Sequence, residues 1–259
     1  MIFTNVLKSV ELNLTDLCNL QCSFCPHAFG FANSNVHMSL DTVELIAKHL
    51  DEIKFSGNVV LSGKGEPTLH KHFEEAVDIL SKFNLLLITN GKNLKQYEHL
   101  IPKFSNVHYD IYDLDPTPIR NEWEGKHNNL YLDHRPDYGI EVKTQTPYGL
   151  NMSSRGYEEH ITKELDDTTC NIIFERLMID WNGDYNLCCH DWFDRISLGN
   201  VTTETILEYI EENPILMSYR TNLVEGNRKD LTVCKNCDKL CPIETSTYKG
   251  LMDMYNACR

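Results

Sequence analysis

Three cysteines stand close together in the run Cys18-Asn19-Leu20-Gln21-Cys22-Ser23-Phe24-Cys25, at the spacing C-x3-C-x2-C. Such a triplet cannot close a structural zinc site alone, because zinc there takes four protein ligands, usually from paired knuckles. A cubane iron–sulfur cluster suits it better. Its irons sit at separate corners, so three thiolates hold three of them and leave the fourth open to a small molecule. The chain has ten cysteines, and its start, Met1-Ile2-Phe3-Thr4, lacks the basic and apolar regions of a secretory signal. These features point to a cytoplasmic protein with metal or redox chemistry, not to a disulfide framework.

The elements around the triplet follow from periodicity. Residues 6–14 alternate as a strand, with Val6, Val10, Leu12 and Leu14 on one face and Glu11 and Asn13 on the other. Ser39 can cap a helix in which Val43, Ile46, Ala47, Leu50 and Ile53 fall at helical spacing. An apolar run from Gly57 to Ser62 ends in Gly63-Lys64-Gly65-Glu66-Pro67, and a helix with Phe73, Ala76, Val77 and Leu80 inward comes next. Leu85–Thr89 is a strand closed by Asn90-Gly91, Leu94–Phe104 a third helix, and 107–112 and 129–133 two more strands. Apolar strands alternating with single helices predict a parallel sheet covered on its outer side, with the site at the carboxyl ends of the strands. The cysteine loop, Gly63–Glu66, Asn90, Asp110 and Asp133-His134 all sit at such ends.

Length allows a full core in one large domain or two, and 41% hydrophobic with 24% charged residues is ordinary for a soluble globular chain. No apolar run is long enough to span a membrane. A net charge of −14 without a lysine- or arginine-rich track argues against a nucleic-acid partner and leaves small substrates open.

The triplet after a first strand, with an aromatic just before its last cysteine, resembles the signature of the radical S-adenosylmethionine (SAM) enzymes. The resemblance implies an α/β fold, a partial (β/α)6 barrel, and a [4Fe–4S] cluster on Cys18, Cys22 and Cys25. In that family the open iron binds SAM and reductive cleavage gives a 5′-deoxyadenosyl radical. Gly65-Glu66-Pro67 is similar to the family's G-G-E-P motif, with Lys64 in place of the first glycine. The resemblance implies that Phe24, Gly63, Gly65, Glu66 and Asn90 bind SAM. It also implies a reductant such as flavodoxin or ferredoxin.

After Thr169 the chain changes character. Cys170 precedes a β-like run to Ile179, a turn at Trp181-Asn182-Gly183-Asp184 and a return strand ending in Cys188-Cys189, which reads as a hairpin. Helical segments follow, then the knuckle Cys234-Lys235-Asn236-Cys237 and Cys241. Four cysteines from a hairpin and a knuckle suit either zinc or a second cluster. This layout resembles the SPASM/Twitch extensions of radical SAM enzymes, so the expected domains are 1–165, the barrel, and 166–259, a small Twitch-type hairpin-plus-helix unit. The resemblance implies one auxiliary [4Fe–4S] cluster on Cys170, Cys188, Cys234 and Cys237, with Cys189, Cys241 and Cys258 left to packing.

The likeness is strongest to aminocyclitol-oxidising members of the family, through Tyr131-Leu132-Asp133-His134 and Ser154-Arg155-Gly156. It implies oxidation of a small polar alcohol, with the auxiliary cluster taking an electron and Arg155 beside the substrate. An arginine is a poor base, so orientation is the role assigned to it. Glu11, Asp110, Asp133, His134 and Tyr112 are candidates for the proton acceptor, with Asp133 and Tyr112 placed beside Arg155 in the catalytic set. A second reading keeps the radical chemistry and takes a peptide substrate. Such enzymes often carry an N-terminal leader-binding domain, for which a triplet starting at Cys18 is expected to leave no room. A third reading is a zinc-binding module without catalysis.

Overall fold

The structure is a computed structural model, in which residues 2–22, 25–29, 33–135, 170–189, 191–192, 196–237 and 245–257 are described. Its strands and helices alternate as β1 (Ser9–Leu12), α1 (Leu40–Glu52), β2 (Asn58–Leu61), α2 (Phe73–Leu80), β3 (Asn84–Thr89), β4 (Asn106–Ile111), α3 (Thr117–Trp123) and β5 (Leu130–His134). Then come α4 (Ile172–Glu175), β6 (Arg176–Ile179), β7 (Tyr185–Asn186), α5 (Ile206–Glu212), α6 (Pro214–Val224) and α7 (Thr245–Ala257). Among the described residues one sheet holds the strands in the order β5-β4-β3-β2-β1-β6-β7. The pairs from β5 to β6 are parallel, and β7 runs back against β6.

Side-chain alternation gives the sheet two faces. Val10, Leu12, Val59, Leu61, Leu85, Leu87, Val107 and Tyr109 are buried in a core shared with Val43, Ile46 and Leu50 of α1 and Phe73, Ala76, Val77 and Leu80 of α2. The other face carries Glu11, Asn13, His108, Asp110 and Asp133 together with the apolar Val60, Leu86, Ile88 and Met178. The register sets Glu11 beside Met178, and Asp110 beside Asp133. Six parallel strands with an apolar outer face and an inner face of mixed polarity form the α/β partial barrel expected from the sequence. Ser39 caps α1 as anticipated, its hydroxyl accepting from the Thr42 amide at 3.1 Å.

Three local readings are corrected. The first strand starts at Ser9, because Thr4–Val6 winds into a 3-10 turn. Glu211 of α5 fixes that turn, accepting from the amides of Ile2 and Thr4, each at 2.9 Å. The segment Leu94–Lys103 is 3-10 with a kink at Tyr97, not an α-helix. It contains Pro102, which has no amide to donate. The run from Ile172 opens with the helical turn α4, and the carbonyl of Ile173 turns to Arg220, accepting from Nε at 3.1 Å and Nη2 at 3.0 Å. The first arm of the hairpin, β6, pairs with β1 along four residues and so continues the parallel sheet.

Candidate active site

The cysteine loop leaves the sheet at Asn13 and is held at both ends. The Thr15 hydroxyl donates to the Val36 carbonyl at 2.6 Å, and Asn33 clasps Cys18 by accepting from its amide at 2.9 Å and donating to its carbonyl at 3.0 Å. The Cys25 amide donates to the Cys22 carbonyl at 2.9 Å, a turn that folds the last two thiols toward each other. Burial pushes the Cys18 thiol up to about 11, with Glu66 and Cys25 adding to the rise. Burial also pushes Cys22 up to about 12, with Cys25 and Cys18 contributing next. The expected triplet is therefore one electrostatic group, and Glu66 belongs to it.

Glu66 is 3% exposed and sits in a nest of donors. Its Oε1 accepts from the hydroxyls of Thr68 and Thr89, both at 2.6 Å, and from the Thr68 amide at 3.2 Å. Its Oε2 accepts from the Asn90 amide at 2.8 Å, which leaves that oxygen room for another donor. Burial raises its pKa, and these hydrogen bonds oppose the rise. The turn is pressed against the cysteine loop: the Glu66 amide donates to the Leu17 carbonyl at 2.8 Å, and a Cβ on Gly65 would collide with the carbonyls of Thr15 and Leu17. Gly63 has φ +121°, and a side chain there would strike Asn13. Asn90 donates to Asn19 at 2.8 Å and to the Cys18 thiol, joining β3 to the loop.

The inner face carries the remaining candidates. The Tyr112 hydroxyl donates to Asp110 Oδ2 at 3.2 Å. Arg135 Nε lies 3.0 Å from Asp110 Oδ1, within ion-pair range but not aligned as a hydrogen bond. Burial raises Asp110, with Arg135 opposing it, and raises Tyr112, with Asp110 and Cys22 adding to the rise. Tyr112 thus lies within electrostatic reach of both the Asp110 carboxylate and the Cys22 thiol. Asp133, one strand out, pairs with His108 Nδ1 at 3.1 Å. His134 donates from Nε2 to the Asp113 carbonyl at 3.0 Å. Glu11, Ser62, Gly63, Lys64, Met178, Asn186, Cys188, Cys189 and Trp192 line a cavity of about 550 Å³ that includes its open mouth. Phe24 and Arg155, with Cys241 and Cys258, lie outside the described residues.

Of the second cysteine group, Cys234 is pushed up to about 12 by burial and then by Cys170 and Cys237, so these three form a second electrostatic set. Burial raises the Tyr209 hydroxyl, and the Cys188 thiol, just after β7, adds to the rise after Glu204. Several site residues carried no sequence signal. His27 is buried and donates from Nε2 to the Lys64 carbonyl at 2.7 Å, and Asn13 accepts from the Lys64 amide at 3.1 Å. Arg135 and His108 were missed because only strand pairing brings them to the site.

The sequence profile described as the radical SAM superfamily matches residues 12–146. The chain belongs to the radical SAM superfamily. A second profile, SPASM, an iron–sulfur cluster-binding domain, matches residues 170–238. An S-adenosyl-L-methionine-dependent 2-deoxy-scyllo-inosamine dehydrogenase from Niallia circulans is 22% identical over 249 residues, 91% of this chain and 94% of that one. An S-adenosylmethionine-dependent nucleotide dehydratase from Flammeovirga pacifica is 26% identical over 180 residues, 63% of this chain and 58% of that one. The crystal structure of BtrN in complex with AdoMet and 2-DOIA superposes with a TM-score of 0.75 at 18% identity, covering 91% of this chain and 94% of that one. That last likeness shows the fold.

As a radical SAM enzyme with a SPASM domain, the protein uses SAM, a [4Fe–4S] cluster and auxiliary iron–sulfur chemistry. The residues present fit these groups. Buried thiols that raise one another's pKa are poor thiolates in the empty protein, and a cationic cluster inverts that preference by binding them deprotonated. The free acceptor capacity on Glu66 faces the same turn and suits a ligand amino group.

Proposed function

We propose that the protein oxidises a small polar alcohol, of the sugar or aminocyclitol kind, by removal of a hydrogen atom from carbon. The observation that supports this best is the wall of Asp110, Tyr112 and Arg135 at the strand ends, in electrostatic reach of Cys22. The Niallia circulans relative, alike over nearly its whole length, bears the name of an aminocyclitol dehydrogenase and points the same way. Cys18, Cys22 and Cys25 hold one cluster and Cys170, Cys188, Cys234 and Cys237 the other. When bound with SAM these groups supply a 5′-deoxyadenosyl radical and an acceptor for the electron the substrate gives up.

The chain itself does the binding and the proton work. Glu66 takes a donor of SAM on Oε2, and Gly63 and Gly65 let the backbone approach it. Asn90, with Phe24, completes that cradle. Asp110, raised by burial, accepts the substrate hydroxyl proton, and Tyr112 holds it in place. Asp133 acts one strand away through His108, and Arg155 orients the substrate. The barrel unit, 1–165, borrows β6 from the auxiliary unit, 166–259. A flavodoxin or ferredoxin delivers the electron that starts each turnover.

The test is anaerobic incubation with dithionite, SAM and 2-deoxy-scyllo-inosamine deuterated at the reacting carbon. The reading expects ketone and 5′-deoxyadenosine in equal amounts, with deuterium in the latter. SAM cleavage that no polyol or amino alcohol accelerates would overturn it.

A further inference from the structure

Arg228 is 2% exposed, an unusual place for a guanidinium. Its Nε donates to the Cys234 carbonyl at 3.1 Å and its Nη2 to the Cys237 carbonyl at 2.5 Å, so the guanidinium spans the knuckle. The 3-10 turns Arg228–Asp230 and Cys234–Asn236 pack on each other and hold it there. The guanidinium therefore lies against the backbone of both knuckle cysteines. Asp191, also 2% exposed, sits beside another proposed ligand, its amide donating to the Cys188 carbonyl at 3.0 Å.

A fixed positive charge beside a redox centre favours the state with the extra electron. In a dry interior one charge at a few ångströms acts far more strongly than in water. From this geometry we infer that Arg228 raises the reduction potential of the auxiliary cluster and so makes it a competent electron acceptor, with Asp191 as the opposing charge. The inference rests on Cys234 and Cys237 being ligands of that cluster. Arg228 is a positioning residue: it acts through the cluster and touches no substrate.

The test needs no substrate. Cys18, Cys22 and Cys25 are replaced by Ala, so that only the auxiliary site can be loaded with iron and sulfide, and the cluster is titrated with EPR detection. In that background Arg228→Met is expected to move the midpoint to more negative potential at unchanged iron content. Arg228→Lys, which keeps the charge, should stay near the parent, and Asp191→Asn should move it the other way. A midpoint unmoved by Arg228→Met, or moved equally by Arg228→Lys, overturns the inference. Loss of iron from both Arg228 variants, with no shift in Asp191→Asn, also overturns it and leaves a structural staple. A triple-alanine parent that binds no iron at all sinks the ligand reading as well, and its metal content tells the two failures apart.

Discussion

Glu66 is a carboxylate almost out of reach of water, surrounded by four donors that have no other use in the core. Replacing it with Ala strands the hydroxyl of Thr89, both donors of Thr68 and the amide of Asn90. The expected cost is on the order of 3 kcal/mol, read as a lowered urea midpoint of the apo chain, together with loss of SAM binding by equilibrium dialysis. Tyr112 makes the opposite case. Tyr112→Phe removes one hydroxyl donating to Asp110, so stability should change by about 1 kcal/mol or less. Substrate oxidation should fall roughly ten- to a hundredfold, while the slow cleavage of SAM without substrate is unchanged. At this scale the sequence names Glu66 through Gly65-Glu66-Pro67, and Cys18, Cys22 and Cys25 through their spacing. It is silent on Thr89, which meets Glu66 from 23 residues away, and on Arg135, which has no motif.

Elements rather than residues set how the cysteine loop meets the SAM turn. Gly65 lies against the carbonyls of Thr15 and Leu17, so Gly65→Ala must push the end of β2 away from the loop. Overpacking of this kind costs roughly 1–3 kcal/mol. The apo fold should survive, with reduced iron uptake on anaerobic reconstitution as the measured defect. On the outer side, the 3-10 segment is tied to the turn after α3 by Glu98, which lies 2.7 Å from Lys126 and 3.0 Å from Lys95. Lys126, then Lys95, holds the Glu98 carboxyl down to about 2. A depressed pKa means stability that is present above the usual carboxylate range near 4.5 and is lost as pH falls through that window towards 2. Glu98→Gln should flatten the acid limb of the unfolding curve between those values, and added salt should have the same effect on the parent. The apolar rows of β2, β3 and β4 were readable because each is written within its own short stretch of sequence. The 3-10 turn at Thr4–Val6 was not, since Glu211, which makes it, comes from α5 on the far side of the chain. The kink at Tyr97 was open to reading from Pro102, which the helical periodicity of Leu94, Leu100 and Ile101 outweighed.

For the molecule as a whole, the sheet order explains why two thiol groups belong to one protein. β6 closes the parallel sheet beside β1, and the β7 arm carries Cys188 and Cys189 back to the cavity lined by Gly63 and Lys64. The hairpin was legible from Asn182-Gly183, but its partner strand was not, because β1 lies 167 residues before β6, as the pair Ser9 and Arg176 shows. Among the described residues no helix is long and apolar enough to cross a membrane. The account stands on an iron at the Cys18, Cys22 and Cys25 site that binds SAM and passes it an electron. The most direct measurement is 5′-deoxyadenosine released from SAM by the anaerobically reconstituted protein with dithionite, set against Cys22→Ala prepared alongside it. Release by the parent and none by Cys22→Ala is the expected result. An iron-loaded parent that leaves SAM intact, or a Cys22→Ala protein that cleaves it as fast, would contradict the account.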